Sequence, residues 1–216
     1  MNNKNKVISI IVLSIILGIT VCLICFFCIP RIDYNYDKEL DCYYVNKAYG
    51  NSKAYEIADE IDGKKVLYID EKAFMDKTKL ENINIGKNVS KIGRLAFANC
   101  ENLKDIDLSK ILVIDRNAFY NCKSIESVKL NAQDILGGAF YDCVSLESVT
   151  LNNTVTIGSY AFTGTLISEI VLPISMNTIG FNAFYNCNYL SKIECYSSKL
   201  RKDDYLLSLG NIVTFK

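Results

Sequence analysis

The sequence predicts a repeat solenoid, poor in helix and rich in parallel β structure, with about six rungs joined by short turns or 3-10 segments and preceded by an N-terminal transmembrane helix. Three observations predict the solenoid. An Ala-Phe pair recurs six times, at Ala73/Phe74, Ala96/Phe97, Ala118/Phe119, Ala139/Phe140, Ala161/Phe162 and Ala183/Phe184, with successive phenylalanines 21 to 23 residues apart, a period that belongs to stacked supersecondary units. Fixed columns surround each pair. Isoleucine stands five residues before every Phe, as Ile69, Ile92, Ile114, Ile135, Ile157 and Ile179. Two residues after it stand Asp76, Asn99, Asn121, Asp142, Gly164 and Asn186, all residues that tolerate a positive φ, so this column predicts a left-handed corner. The third observation is a trailing L-x-x-I-x-L pattern, from Leu80/Ile83/Ile85 in the first repeat to Leu190/Ile193/Cys195 in the last, whose final positions alternate in, out, in as a half-buried strand does.

Stacking these strands in parallel puts the Ile, Phe and Leu columns inside one spine. A buried large apolar side chain contributes about 1.5–3 kcal/mol, which offsets the ordering entropy only when neighbouring rungs cover both sides.

These residues resemble the BspA-like leucine-rich repeat family, whose unit reads roughly I-G-x-x-A-F-x-x-C-x-x-L-x-x-I-x-L-P. The resemblance covers residues 57–195. Departures are local: Asp70, Asp115 and Leu136 replace the Gly after Ile, Lys77 and Thr165 replace the Cys, only Pro173 matches the proline, and the fifth repeat is one residue short before Ile167. The resemblance implies that the outward strand positions form a concave binding ladder. They are Asn82 and Asn84, Asp105 and Asp107, Ser127 and Lys129, Ser148 and Thr150, Glu169 and Val171, and Lys192 and Glu194. It also implies adhesion or host-surface interaction. The ladder itself mixes charge signs and lacks the aromatic anchor that tight interfaces favour, so a merely solvated face is the competing reading.

Along the chain, residues 1–6 form a short cytoplasmic tail. Residues 7–29 are uncharged and apolar or small, about 34 Å as a helix, enough to span a bilayer. Lys4 and Lys6 precede this segment, while Arg31, Asp33, Asp37, Lys38 and Glu39 follow it, a modest bias that favours a cytoplasmic N-terminus and an extracellular C-terminal domain. A cleaved signal peptide, and hence secretion, is the alternative, but its apolar part is normally shorter and ends at an A-x-A-like site, which residues 20–32 do not contain. Cys22, Cys25 and Cys28 read as small membrane residues, with lipid attachment the lesser alternative. Residues 30–41 show no helical period and read as a stalk. Residues 42–65 are irregular, with β-rich ends around a hairpin turn at Tyr49-Gly50-Asn51-Ser52 and another at Asp62-Gly63, and read as the N-terminal cap. The solenoid itself occupies residues 66–195. Residues 196–216, where a helical turn or two stops at Gly210 before a last strand, read as the C-terminal cap.

Composition excludes several functions. Lys plus Arg equals Asp plus Glu at 24 each, and without a basic run nucleic acid is not a partner. There is no histidine, hence no Ser-His or Cys-His pair, and no phosphate-binding glycine loop, so catalysis is not expected. Cys100, Cys122, Cys143 and Cys187 supply one thiol per rung, which reads as a column of core thiols, with disulfides between rungs and metal binding as alternatives. Cys195 replaces a strand Leu, and Cys42 is free or paired. No cofactor is implied. Tyr120, Tyr141 and Tyr185 follow their Phe and, with Tyr160, read as a shield over the corner or as partner anchors. Asn88-Val89-Ser90 and Asn152-Asn153-Thr154 are glycosylation sequons. The function predicted is a membrane-anchored, extracellular, non-catalytic protein-binding or adhesion module, and the alternative is a self-associating envelope protein with no foreign ligand.

Overall fold

The computed structural model describes residues 30–216. The transmembrane segment expected at 7–29 lies outside the described residues, and among the described residues no helix is long and apolar enough to cross a membrane. The described chain winds as a parallel β-solenoid with two strand series, one on each side of a common core. The first series contains β1 (Arg31–Asp37), β2 (Cys42–Tyr49), β5 (Lys64–Ile69), β7 (Lys91–Ile92), β9 (Val113–Ile114), β11 (Asp134–Ile135), β13 (Thr156–Ile157) and β15 (Thr178–Ile179), hydrogen-bonded in that order, with β4 (Glu60–Ile61) paired to β5. The second carries β3 (Ala54–Glu56), β6 (Asn82–Asn84), β8 (Asp105–Ile106), β10 (Ser127–Leu130), β12 (Ser148–Leu151), β14 (Glu169–Leu172), β16 (Lys192–Cys195) and β17 (Val213–Phe215). Eight strands in the second series give about eight turns, against the six expected. The Ala-Phe signature marks only coils with a full corner. The end coils lack it and were invisible to a count of pairs.

The interior is the one the columns predict. All six isoleucines and all six phenylalanines are buried. The rings stack, with Phe74, Phe97, Phe119, Phe140, Phe162 and Phe184 centred 5.0, 5.2, 5.1, 5.4 and 5.9 Å apart in turn and no pair tilted by more than 13°. A parallel register one rung apart dictates this: equivalent atoms repeat at about the spacing of neighbouring strands, ~4.8 Å, so identical rings stack offset. The predicted corner column has φ of 61, 61, 59, 56, 74 and 57°. A second left-handed column, two residues before each Phe, comprises Lys72, Leu95, Asn117, Gly138, Tyr160 and Asn182. Between the two columns the corner hydrogen-bonds rung to rung: Phe97 N–H donates to the Ala118 carbonyl and Phe119 N–H to the Ala139 carbonyl, both at 2.8 Å. Close stacking also explains the glycine after isoleucine. A Cβ on Gly158 would lie 2.4 Å from the Gly137 nitrogen, and one on Gly180 2.1 Å from the Ser159 nitrogen.

Both ends are closed by tyrosines. The Tyr55 ring meets the first stacked ring, Phe74, edge-on at 5.5 Å and 73°. At the other end the Phe184 N–H, which has no further rung to donate to, reaches the Tyr205 hydroxyl at 2.9 Å. Tyr205 is held by the one-turn helix Asp204–Ser208, whose N-terminus the Asp203 carboxylate caps by accepting from Leu206 N–H at 3.0 Å. Gly210 follows with φ +64°, and β17 then adds to β16 in parallel.

Two expectations at the N-terminal end need correction. Residues 30–41 are not a stalk, because β1 pairs antiparallel with β2. Ile32 and Tyr34 pack on the core, and the Tyr34 hydroxyl accepts the Ala58 N–H at 3.0 Å. Nor is Tyr49–Ser52 a hairpin turn, since β2 pairs in parallel with β5 and β3 in parallel with β6; the turn carries the chain from one side of the solenoid to the other. Asp62-Gly63 does form a hairpin, with φ of 49° and 74° joining β4 to β5.

Thr154 breaks the pattern of its own column. It occupies a core position held elsewhere by Val66, Val89, Ile111, Ala132 and Met176, and its hydroxyl is buried with no hydrogen-bond partner. An unsatisfied buried hydroxyl costs about 1–3 kcal/mol. Thr154→Val, nearly equal in volume, is therefore expected to raise stability by about 1–2 kcal/mol, read as a higher urea midpoint. An unchanged or lower midpoint would show the hydroxyl to be satisfied.

Candidate functional site

The outward positions of the second strand series lie where the sequence places them. Period-two alternation turns Ile83, Val128, Val149, Ile170 and Ile193 inward and their neighbours outward. Eleven of the twelve ladder residues are exposed, and Glu194 is half-buried. Register aligns them across rungs: Asn82 with Asp105, Ser127 with Ser148, Lys129 with Thr150, Glu169 with Lys192, and Val171 with Glu194. Glu56, opposite Asn84, and Thr214, opposite Glu194, extend the ladder at its ends. Asp107 lies just past β8; its carboxylate accepts the Ser109 N–H at 2.9 Å, and bonds from the Ser109 side chain and backbone hold it below the ordinary carboxylate range.

The ladder is not one continuous sheet. It divides into β3-β6-β8, β10-β12 and β14-β16-β17, and a groove lies over each of the two breaks. The groove over the β8/β10 break, about 530 Å³, is lined by Asn82, Asn84, Lys104, Asp105, Asp107 and Lys129 among others. The groove over the β12/β14 break, about 640 Å³, is lined by Ser148, Thr150, Glu169, Val171, Lys192 and Glu194 among others. It continues through Glu147 and Ser168 into a second hollow of about 390 Å³ whose walls include Leu166 and Tyr189. Lys192 lies between two carboxylates, 2.9 Å from Glu194 and 4.0 Å from Glu169. The hydrogen bond between Lys192 and Glu194 raises the pKa of the ammonium and lowers that of the carboxyl.

The second break coincides with the residue missing before Ile167. In other rungs the strand-entry Leu closes a tight turn onto the Cys column, as Leu103 N–H does on the Cys100 carbonyl at 3.1 Å and Leu146 N–H on Cys143 at 2.9 Å. The fifth repeat is too short for that turn. Leu166 N–H donates instead to the Leu146 carbonyl of the preceding rung at 3.0 Å, and β14 enters without pairing to β12. The aromatic side chain that the ladder columns lack is Tyr189, 66 % exposed, one residue before a core Leu. The equivalent positions in the first four repeats are polar, Lys79, Asn102, Ser124 and Ser145, whereas the fifth and sixth carry Leu166 and Tyr189, and that change was the signal in the sequence.

The thiol column is buried, and its cysteines are free. Cys100, Cys122 and Cys143 each donate an S–H to the Phe carbonyl of the preceding coil, at 3.1 Å, and Cys187 does the same at 3.0 Å. Burial pushes the Cys100 and Cys143 thiols up to about 12 and Cys122 higher than its ordinary value, so they are protonated at neutral pH. Cys42 and Cys195 are also free and buried. Among the described residues, no group of three or more cysteines, aspartates and glutamates is placed to hold a metal ion. Of the tyrosines, Tyr120 and Tyr141 stack at 5.6 Å and are half-buried over the corner, whereas Tyr160 and Tyr185 are exposed.

Comparison with known proteins agrees with this geometry. A family model described as "BspA type Leucine rich repeat region" matches residues 48–156 and 155–215, in six copies. Among solved structures, a leucine rich cell surface protein from Faecalibacterium prausnitzii A2-165 is 26 % identical with a TM-score of 0.64, over 79 % of this chain and 55 % of that one; this chain thus spans about half the length of that protein. A leucine rich repeat protein of T. pallidum shares the fold at 24 % identity and TM-score 0.50, over 76 % of this chain and 68 % of its own. One from Eubacterium ventriosum ATCC 27560 does so at 21 % and 0.55, over 80 % and 54 %. No curated protein matches the chain in sequence.

Proposed function

Because the chain belongs to the BspA-type leucine-rich repeat family, we propose that it is a membrane-anchored, extracellular protein-binding module that acts through its concave ladder in adhesion. The observation that carries the proposal is the ladder itself: outward side chains from successive strands, exposed on one side of a rigid spine, form the kind of extended surface by which solenoids hold partners. Residues 7–29 would anchor the module with its N-terminus in the cytoplasm, and the cell-surface description of the Faecalibacterium protein supports display outside the cell. A non-catalytic role is supported by the absence of histidine from the sequence and by thiols that burial keeps protonated. Fold alone does not assign a partner.

The test uses cells that express the full chain. External protease is expected to remove everything after about residue 30 while the cells stay intact, and immobilised extracellular matrix proteins or host cells are expected to retain the expressing cells saturably. Charge reversal on the ladder, Asp105→Lys with Glu169→Lys, is expected to weaken retention. Protection from protease would remove the topology, and release of the whole domain into the medium would replace the anchor with secretion. Lack of saturable retention by any matrix protein or host cell, together with concentration-dependent sedimentation of the full chain, would favour the self-associating envelope protein.

A further inference from the structure

The trough over the β12/β14 break differs from the other groove of the ladder in the tyrosine of its adjoining hollow and in the charge of its lining. We infer that it takes an extended peptide segment of a partner protein presenting a lysine or arginine; the inference rests on the binding role proposed above and names its subsite. Three features point to that occupant.

The trough runs along four-residue strands, about 13 Å at ~3.3 Å per residue, the length of four extended residues. The half-buried Leu166 and Tyr189 wall the adjoining hollow, and Val171, 48 % exposed, lines the trough itself, apolar surfaces suited to an aliphatic stem. The open face of a tyrosine ring also attracts a cation.

The charges complete the selection. Glu147, Glu169 and Glu194 line the trough with one lining cation, Lys192, which engages Glu194 at 2.9 Å and lies 4.0 Å from Glu169, so the lining carries an excess of two negative charges, while Lys216 acts on Glu194 from outside it. The other groove sets Asp105 and Asp107 against Lys104 and Lys129, two against two, and has no aromatic ring. A cationic side chain therefore has a reason to choose the first groove and none to choose the second, and Glu147 and Glu169 offer it charge-assisted hydrogen bonds.

The probe is a short fluorescein-labelled peptide alternating threonine and lysine, with a control alternating threonine and glutamate, titrated against the full chain in non-ionic detergent and read by fluorescence anisotropy. The lysine peptide is expected to bind at least about tenfold more tightly than the glutamate peptide, and more weakly as salt is raised. Tyr189→Ala is expected to weaken it about tenfold, and Glu147→Gln with Glu169→Gln about fivefold. Asp105→Asn, in the other groove, should change it less than about twofold. All four positions are exposed, and unchanged thermal melting verifies that each variant folds. Equal affinity for both peptides, or undiminished affinity in Tyr189→Ala, overturns the inference. So does a dimer of the full chain that Tyr189→Ala abolishes, because the occupant is then a second copy. A matrix protein or host cell whose retention ignores Tyr189→Ala but is lost in Asp105→Lys overturns this subsite and leaves the broader binding role standing; absence of both peptide and protein binding removes both.

Discussion

Replacing Phe140 by alanine is expected to lower the unfolding free energy by about 3–5 kcal/mol, the range for emptying a fully packed aromatic site. Phe140 is fully buried and stacks on both sides, 5.1 Å from Phe119 and 5.4 Å from Phe162. No ring can move in to fill the space, because each neighbour is fixed by its own rung: the Phe140 N–H donates to Ala161 at 2.7 Å, and the Phe119 N–H to Ala139 at 2.8 Å. The loss also falls at a vulnerable place. A solenoid is held together by nearest-neighbour interfaces, and this one joins the N-terminal and C-terminal halves. Urea unfolding followed by circular dichroism should therefore change from one transition to two as the halves uncouple. Phe184→Ala, at the end of the stack with only one ring neighbour, should cost less and keep a single transition. A loss below about 1 kcal/mol for Phe140→Ala would mean that the ring column does not carry the spine.

The second large effect is alkaline unfolding. The Cys100 and Cys143 thiols lie at about 12 in the folded protein against an ordinary value of 9.0, and Cys122 is also well above it, with burial the main cause in each. A thiol whose folded pKa is raised contributes stability that is complete below its unfolded pKa and is lost as pH climbs from there through the folded value. The window is thus about pH 9 to 12. Within it each thiol removes about 1.4 kcal/mol per pH unit, so the three together remove about 4 kcal/mol per unit, enough to exhaust the ~5–15 kcal/mol of an ordinary domain within a few units. Unfolding free energy measured against pH should be flat from 7 to about 9 and fall steeply above. The Cys100→Ala, Cys122→Ala, Cys143→Ala triple variant should show a shallower fall whatever its starting stability. The remaining slope would come from the other groups that burial raises, the Cys42, Cys187 and Cys195 thiols and tyrosines such as Tyr55, Tyr68 and Tyr205. A flat profile between pH 9 and 11, or rapid alkylation of the column in the native protein at pH 8, would contradict the burial that this rests on.

The contrast between the two corner columns shows why part of the fold was legible and part was not. Asp76, Asn99, Asn121, Asp142, Gly164 and Asn186 announce a positive φ by their chemistry. The equally left-handed column two residues before each Phe holds Lys72, Leu95 and Tyr160 among its members. No local preference selects those residues, and only the rung-to-rung hydrogen bonds, such as Leu95 N–H to the Arg116 carbonyl at 3.1 Å, hold them there against a cost of about 1–2 kcal/mol each. The end coils were hidden for a related reason. Tyr55 covers the first ring of the stack and the Tyr205 hydroxyl takes the place of the next rung's Ala carbonyl, each from a different position in its coil, so a search for repeated spacing passes over them. In the candidate site, strand alternation located all twelve ladder residues, yet it missed Tyr189, Leu166 and the trough.

By itself the sequence determined the repeat, the inward columns, one corner and the outward ladder, because each depends on a side-chain preference that recurs in every rung and can be read down a column. Tertiary structure alone decided what happens where the repetition fails. It turned residues 31–37 into an edge strand, closed both ends with tyrosines, and placed a trough where one residue is missing before Ile167. A stack transmits a local deletion to its neighbours through backbone register, and register is a relation between rungs that no single rung encodes.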